Sequence, residues 1–542
     1  MAHNERRRSR VAIIVSGLGL LPLLAYFAYC TWIQPISPYY ADFDPEFPYL
    51  LNSMGVFNGA PYAYVDHPGT PLEVIGSAIY ALTYPWLGRS GESFVLYQLQ
   101  NPGLFLTLAH GFLLVASGAC LAYLAWMRRK DAVLLPAALG ALYFAIHPEA
   151  FATLVTWSHN SFAFAFGTLY LAVLYRALTR APSGLTVLQL VGFGVWAGLL
   201  ATVTIYLAAW ILGAMAIVVI TCRLRALGAW KSLGSAGMLL LAGIAGFFVG
   251  VLPVLAHMPY FFGWIGSLLS HRDLYLVGSV SRPPIERLAA NFVWLFQRAP
   301  QLFITVALLI GLAAAAFGMW RKRIPAAPVA WAFVAGTIGM IVLLTGFILD
   351  HPKLEFMISV AAVTPMLAVA LFDIFESGQA ISPWIERAVA ALIFVGVLVA
   401  LGVGILDQEA KAARIAQVSA QTDAAIATYA EETGRPRSDL MVLWAYRSYS
   451  PCFALWFGNE STAKAFSREL RQLCYRQFEL NIYGQNVVSG PGARPLADYK
   501  WDMIVGCADA FQIPLLRDLP YVERFPDAQI ECGSLTIAYN RK

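Results

Sequence analysis

Apolar residues in this chain gather in runs of about twenty, parted by short polar joints, and each run suits a helix crossing a ~30 Å hydrocarbon layer. Eleven candidate spans follow from the pattern: 11–33, 102–126, 132–148, 160–176, 186–203, 205–222, 234–256, 301–320, 327–349, 355–373 and 385–406. After residue 407 the pattern changes. An Ala-rich polar helix, "DQEAKAARIAQVSAQTDAAIATYAEE", leads into short strand-like runs, "DLMVLWAY", "QFELNIY", "WDMIVGC" and "SLTIAYN", with helical "AKAFSRELRQL" between them. The expected architecture is an all-α polytopic membrane domain over 1–406 and a small α/β domain over 407–542.

Composition agrees. Of 542 residues 59% are hydrophobic and 13% charged, against roughly 25% charged in soluble proteins. The net charge of +5 lies in joints between spans and does not point to nucleic acid. "RRRSR", "MRRKD", "RALTR", "CRLRALGAWK" and "RKR" fall on one side if the spans alternate, and the positive-inside rule makes that side cytoplasmic. An odd number of spans then sends the tail outside. The first run reads as a retained span, being longer than a signal-peptide core. Short basic joints suggest a bacterial inner membrane, with the N-terminus cytoplasmic and the tail periplasmic. Cysteines fit this topology: Cys452, Cys474, Cys507 and Cys532 all lie in the tail, where two disulfides with three possible connectivities are expected.

Candidate chemistry sits at the outer ends of spans. The loop after the first span reads "SPYYADFDPEFPYLL" and places Asp42, Asp44 and Glu46 within five positions. Beyond Asp44-Pro45, the residues Phe47, Leu50, Leu51, Met54 and Phe57 recur at helical spacing, predicting an amphipathic helix lying in the membrane interface. A link containing Tyr64, Asp66 and His67 leads to a second interfacial helix, where Thr70 and Glu73 have capping-box spacing. Asp44 reads equally well as the N-cap of the first helix. Glu46 and Asp42 read as companions of Asp44 or as solvated interface residues. Tyr39, Tyr40, Tyr49, Tyr62, Tyr64 and Trp157 suit either sugar stacking or an interfacial aromatic belt, the belt being the better fit for most. Lys353, Arg272 and Arg282 are outer-side cations able to meet a lipid phosphate, and Lys353 adjoins the start of a span. His147, Glu149 and His159 share that side, so a divalent metal is conceivable there, although no ligand spacing on one helix supports it.

One span, an acidic "DFDPEF" segment opening a juxtamembrane helix, and a "YVDHPGTPL" link into a second such helix resemble the GT-C glycosyltransferases. This superfamily includes protein O-mannosyltransferases and lipid A aminoarabinose transferases. "DHPKLEFMISVAAVTP" is similar to the start of a late span in the same group. The resemblance implies a polyprenyl-phosphate sugar donor, an inverting transfer to a glycan, lipid or protein acceptor at the outer face, and a first-loop acid acting as base. By position that acid is Asp44. Read from the residues themselves, Asp66, His67, Tyr64 and His159 are candidates to orient acceptor and sugar, and His67, which precedes a proline, also fits simple closure of the turn. The chain departs from the pattern at "TWSHNSF", where many relatives carry a further acid. Two other readings stand beside this one: a secondary transporter, and an enzyme like the O-antigen ligases or polymerases that relies on outer-loop Arg and His.

Overall fold

The computed structural model describes residues 20–41, 43–60, 70–88, 90–127, 142, 148–257, 259, 261–263, 266, 284–320, 327–350, 354–377, 383–444, 450–475, 477–480, 488–489, 502–506 and 536–539. Among them, eight helices are long and apolar enough to cross a membrane. They are α5 (Gly103–Met127), α6 (His159–Arg180), α8 (Ala208–Leu224), α9 (Ala229–Val251), α11 (Pro300–Trp320), α12 (Pro328–Asp350), α13 (Met357–Ser377) and α14 (Pro383–Thr433). Two shorter apolar helices, α1 (Leu20–Ile33) and α7 (Val187–Val203), correspond to the expected first and fifth spans. The expected span 132–148 falls almost wholly outside the described residues. The protein is therefore helical and polytopic, with a core that runs through the bundle from Tyr26 to Ala400.

Glycine sets the closest contact in the bundle. Helices α7 and α9 run parallel: Gly194 meets Leu239 and Ala242, Gly198 meets Gly243 and Gly246, and Thr202 meets Gly250. Both helices carry the small-xxx-small spacing, Gly194/Gly198 on one and Gly246/Gly250 on the other, which lets backbones touch where lipid gives no hydrophobic drive for association. A Cβ on Gly198 would lie 2.1 Å from the Gly243 carbonyl oxygen. At the end of the bundle that holds the α6–α7 turn, Arg225 donates to the Ala181 and Leu178 carbonyls and closes the C-terminus of α6.

Three further helices build a layer at the opposite end: α2 (Phe43–Phe57), α3 (Thr70–Leu87) and α4 (Gly91–Gln100). Here the structure corrects the sequence reading. Phe47, Leu50, Leu51 and Met54 are fully buried, so the apolar face of α2 meets protein rather than lipid. One face of α2 rests on the bundle and the other is covered by the tail. Helices α2 and α3 are parallel neighbours, because Ser53 meets Gly76 and, one turn on, Phe57 meets Tyr80.

The expected boundary at 406/407 is not a break in the chain. Helix α14 is continuous for 51 residues, about 76 Å at 1.5 Å per residue, so it crosses the bilayer and projects well beyond. From its end the chain builds a five-stranded sheet, order β3-β2-β1-β4-β5, from β1 (Val442–Trp444), β2 (Gln477–Leu480), β3 (Val488–Ser489), β4 (Met503–Gly506) and β5 (Thr536–Tyr539). β1 is parallel to both β2 and β4, while β3 and β5 are antiparallel at the edges. The parallel β1–β2 connection carries two helices, α15 (Pro451–Glu460) and α16 (Ser467–Leu473), joined by the Cys452–Cys474 disulfide. Cys507 and Cys532 lie outside the described residues.

Gly198→Ala is expected to cost about 1–3 kcal/mol, the range for forcing extra volume into a close-packed site, and to lower the melting temperature in detergent. Gly234→Ala, where a Cβ meets open space, should leave it unchanged; equal melting of the two variants would contradict the close contact.

Candidate functional site

The site grows from the two faces of α2. Glu46, Tyr49 and Ser53 follow one another at single-turn spacing and all three are buried, the first two facing the bundle and Ser53 facing Gly76 of α3. Glu46 Oε1 lies 2.6 Å from His110 Nε2 on α5 and accepts the Trp157 backbone N–H at 2.7 Å. With the carboxylate ionised, the imidazole must carry its proton on Nε2. This one carboxyl group ties the start of α2 to α5 and to the segment leading into α6. Glu46 is thus committed to protein partners and is not a solvated interface residue.

One turn along, the Tyr49 hydroxyl meets His159 Nδ1 at 3.3 Å. His159 is the first residue of α6, whose N-cap Ser158 accepts the Ser161 N–H. The β-like backbone of Ser158 sets His159 and Asn160 in the first turn, where the positive end of the helix dipole lies. Asn160 Oδ1 accepts the Tyr206 hydroxyl at 2.6 Å, and the Phe356 ring sits beside both His159 (6.1 Å between centroids) and Tyr206 (5.3 Å). Four segments therefore converge: α2, the start of α6, the turn after α7, and the start of α13.

The opposite face of α2 is held by the tail. Gly458 of α15 lies so close that a Cβ there would come within 3.0 Å of Phe47. The Asn52 side chain donates to the Ser461 carbonyl at 3.1 Å. On the neighbouring helix, Glu92 of α4 pairs with Arg468 of α16 at 3.0 Å and accepts from Gln472 at 3.2 Å.

Glu73 departs from its expected capping role. Its carboxyl group is buried, and among the described residues neither oxygen has a hydrogen-bond partner. The parallel α2–α3 register puts it one turn before Gly76, level with Tyr49 and Leu50. Burial pushes its ionisation well above the usual carboxylate range, so it holds its proton where an exposed glutamate would not.

Several of the predicted site residues lie outside what the structure describes: Asp42, Tyr64, Asp66, His67, His147, Arg272, Arg282 and Lys353. Asp44 stands in the first turn of α2, where Pro48 cannot donate to its carbonyl. Glu149 lies in the helical turn Pro148–Val155, and among the described residues no three His, Cys, Asp or Glu side chains form a metal cluster. Tyr49 and Trp157 are fully buried, which removes them from an aromatic belt. His110, Tyr206 and Phe356 were missed as partners. His110 stands out in the sequence as an ionisable residue in an otherwise apolar span, while its pairing with Glu46 carries no local signal. No family model matches this chain, and no curated protein matches it.

Glu46→Ala removes the acceptor for a buried N–H and for His110, and should cost about 3–5 kcal/mol; Glu46→Gln, which keeps one acceptor oxygen, should melt at a temperature between that variant and the parent. Equal melting of all three would contradict the tie. For Glu73 the sign is the reverse of a salt-bridged acid. The unfolded chain's glutamate ionises near the ordinary ~4.3 and the folded one only at higher pH, so stability is full below that value and falls as pH rises above it. The slope approaches about 1.4 kcal/mol per pH unit, and Glu73→Gln should abolish this share of the pH dependence of melting. A parent and variant with parallel profiles from pH 5 to 8 would contradict it.

Proposed function

We propose that this protein is an inverting membrane glycosyltransferase that moves a sugar from a polyprenyl-phosphate donor to a glycan, lipid or protein acceptor. The reaction takes place at the end of the bundle where α2, α6 and α13 meet, the outer, periplasmic face of a bacterial inner membrane in this reading. The observation that carries it is the convergence on His159. The helix that begins beside Asp44 reaches it through Tyr49, and the span that begins just after Lys353 reaches it through Phe356. The two segments that follow Asp44 and Lys353 in the sequence thus meet at His159, and this supports assigning Asp44 as the base for the acceptor and Lys353 as the cation for the departing phosphate. The resemblance of "DFDPEF" and "DHPGTPL" to the GT-C pattern supports the same assignment.

In this mechanism Asp44 takes the proton of the acceptor hydroxyl as its oxygen attacks the anomeric carbon. The bond from that carbon to the phosphate oxygen breaks, and the lipid phosphate leaves with the electron pair on the face opposite to attack, which inverts the centre. Lys353 offsets the charge that develops on the leaving phosphate. The N-terminus of α6 adds the positive end of its dipole. Glu46 is a positioning residue here: its bonds to His110 and Trp157 fix the direction in which the start of α2 points. The Cys452–Cys474 disulfide agrees with an oxidising compartment for the tail.

One observation favours the transporter as a second reading. Glu73 is a buried carboxyl group without a hydrogen-bond partner among the described residues, and proton-coupled carriers keep such groups on their pathway.

Asp44→Asn should lower sugar transfer from a polyprenyl-phosphate donor by about 10²–10⁴-fold with unchanged melting, read as donor consumption by the purified protein in lipid nanodiscs. Full transfer by this variant would remove Asp44 as base. A parent that consumes no donor but moves protons across vesicles in a Glu73-dependent way would favour the carrier.

A further inference from the structure

Helix α10 (Pro284–Arg298) is not a span, and its surface is divided in three. On a helical wheel, Asn291 and Leu295 share one side; Leu295 is buried and the Asn291 side chain donates to the Leu349 carbonyl at the end of α12. A second side carries Glu286, Ala290 and Gln297, and in the last turn the Arg298 guanidinium stands 5.4 Å from the Trp294 ring centroid. The third side carries large apolar residues that the protein leaves uncovered: Ile285 is 77% exposed, Phe292 42% and Phe296 40%, with Val293, 52% exposed, at the border with Glu286. A loop helix in water would not keep such a stripe.

Geometry identifies what covers it. Only Ala299 separates α10 from the membrane-crossing helix α11. Phe292 and Phe296 pack on Phe303 of α11 at 5.2 and 5.9 Å between centroids, and so extend the exposed apolar flank that continues along α11 through Ile304, Leu308 and Leu312. Its tie to Leu349 fixes α10 at the level where α12 ends, the same end of the bundle as His159. We propose that α10 lies in the headgroup layer of the bilayer at that end, with Ile285, Phe292 and Phe296 immersed among lipid chains, Val293 at the boundary, and Glu286 and Gln297 facing water. The partner of this surface is the membrane itself. The inference stands apart from the sugar-transfer reading, since it rests on none of the residues assigned to that reaction.

Single cysteines at Glu286, Phe292, Phe296 and Gln297, all at exposed positions, test it after nitroxide labelling of the full chain in phosphatidylcholine/phosphatidylglycerol nanodiscs. The unsubstituted chain serves as the blank. Labels at 292 and 296 should collide more with dissolved oxygen than with a water-soluble nickel chelate and report a depth of about 5–10 Å below the phosphates. Labels at 286 and 297 should show the reverse ratio. Chelate access at 292 and 296 equal to that at 286 would overturn the proposal. So would shielding of 292 and 296 from both reagents, which would mean a protein partner or a second copy on that face. Quenching of bimane at the same cysteines by brominated lipid gives an independent reading: strong at 292 and 296 if α10 is immersed, absent if it is not.

Discussion

One carboxyl group determines how the layer of α2, α3 and α4 is assembled. Glu46 is buried in a largely apolar surrounding, where an ionised carboxylate without partners would be prohibitively costly. Its 2.6 and 2.7 Å contacts with His110 and the Trp157 N–H make that burial tolerable. They also fix geometry: the turn that follows α2's first residues can sit only where a histidine from one span and a backbone donor from another coincide. A buried pair of this kind contributes little net stability. What it supplies here is a single orientation for a helix that is covered on both sides.

That covering accounts for the tail's placement. Helix α2 would expose Phe47, Leu51 and Asn52 if only the bundle supported it, and α15 removes them from solvent through close approach at Gly458 and the Asn52–Ser461 hydrogen bond. The disulfide bridges the two helices that touch this layer, α15 on α2 and α16 on α4. Through α14, the last span and the tail form one rod, so the sheet is carried outward while its helical hairpin folds back over the first loop. The tail is therefore a structural part of the region where Tyr49, His159 and Phe356 meet.

The spans were legible because a 20-residue apolar run has only one economical conformation in lipid, a helix that satisfies its own backbone. Strands such as "WDMIVGC" and "SLTIAYN" were legible for a similar reason, as short β-rich runs between turn residues. The burial of α2 was not. Its pattern of Phe47, Leu50, Leu51 and Met54 describes one apolar face, and sequence alone does not say whether lipid or protein will meet it. The second buried face, Glu46, Tyr49 and Ser53, is polar, and its partners His110, His159 and Gly76 lie 64, 110 and 23 positions away. Periodicity carries no information about such long-range pairs. Glu73 misled for a related reason: Thr-x-x-Glu spacing is a local signal, and tertiary packing turned the side chain inward.

The account depends on α2 being an internal helix whose first turn faces the place where a lipid phosphate is handled. Electron cryomicroscopy of the full chain in nanodiscs containing a polyprenyl phosphate measures this directly. The account predicts α2 enclosed between α5 and α15, with phosphate density beside the His159–Phe356 junction and within reach of the start of α2. Density for α2 on the bilayer surface, or phosphate bound at the opposite end of the bundle, would contradict it.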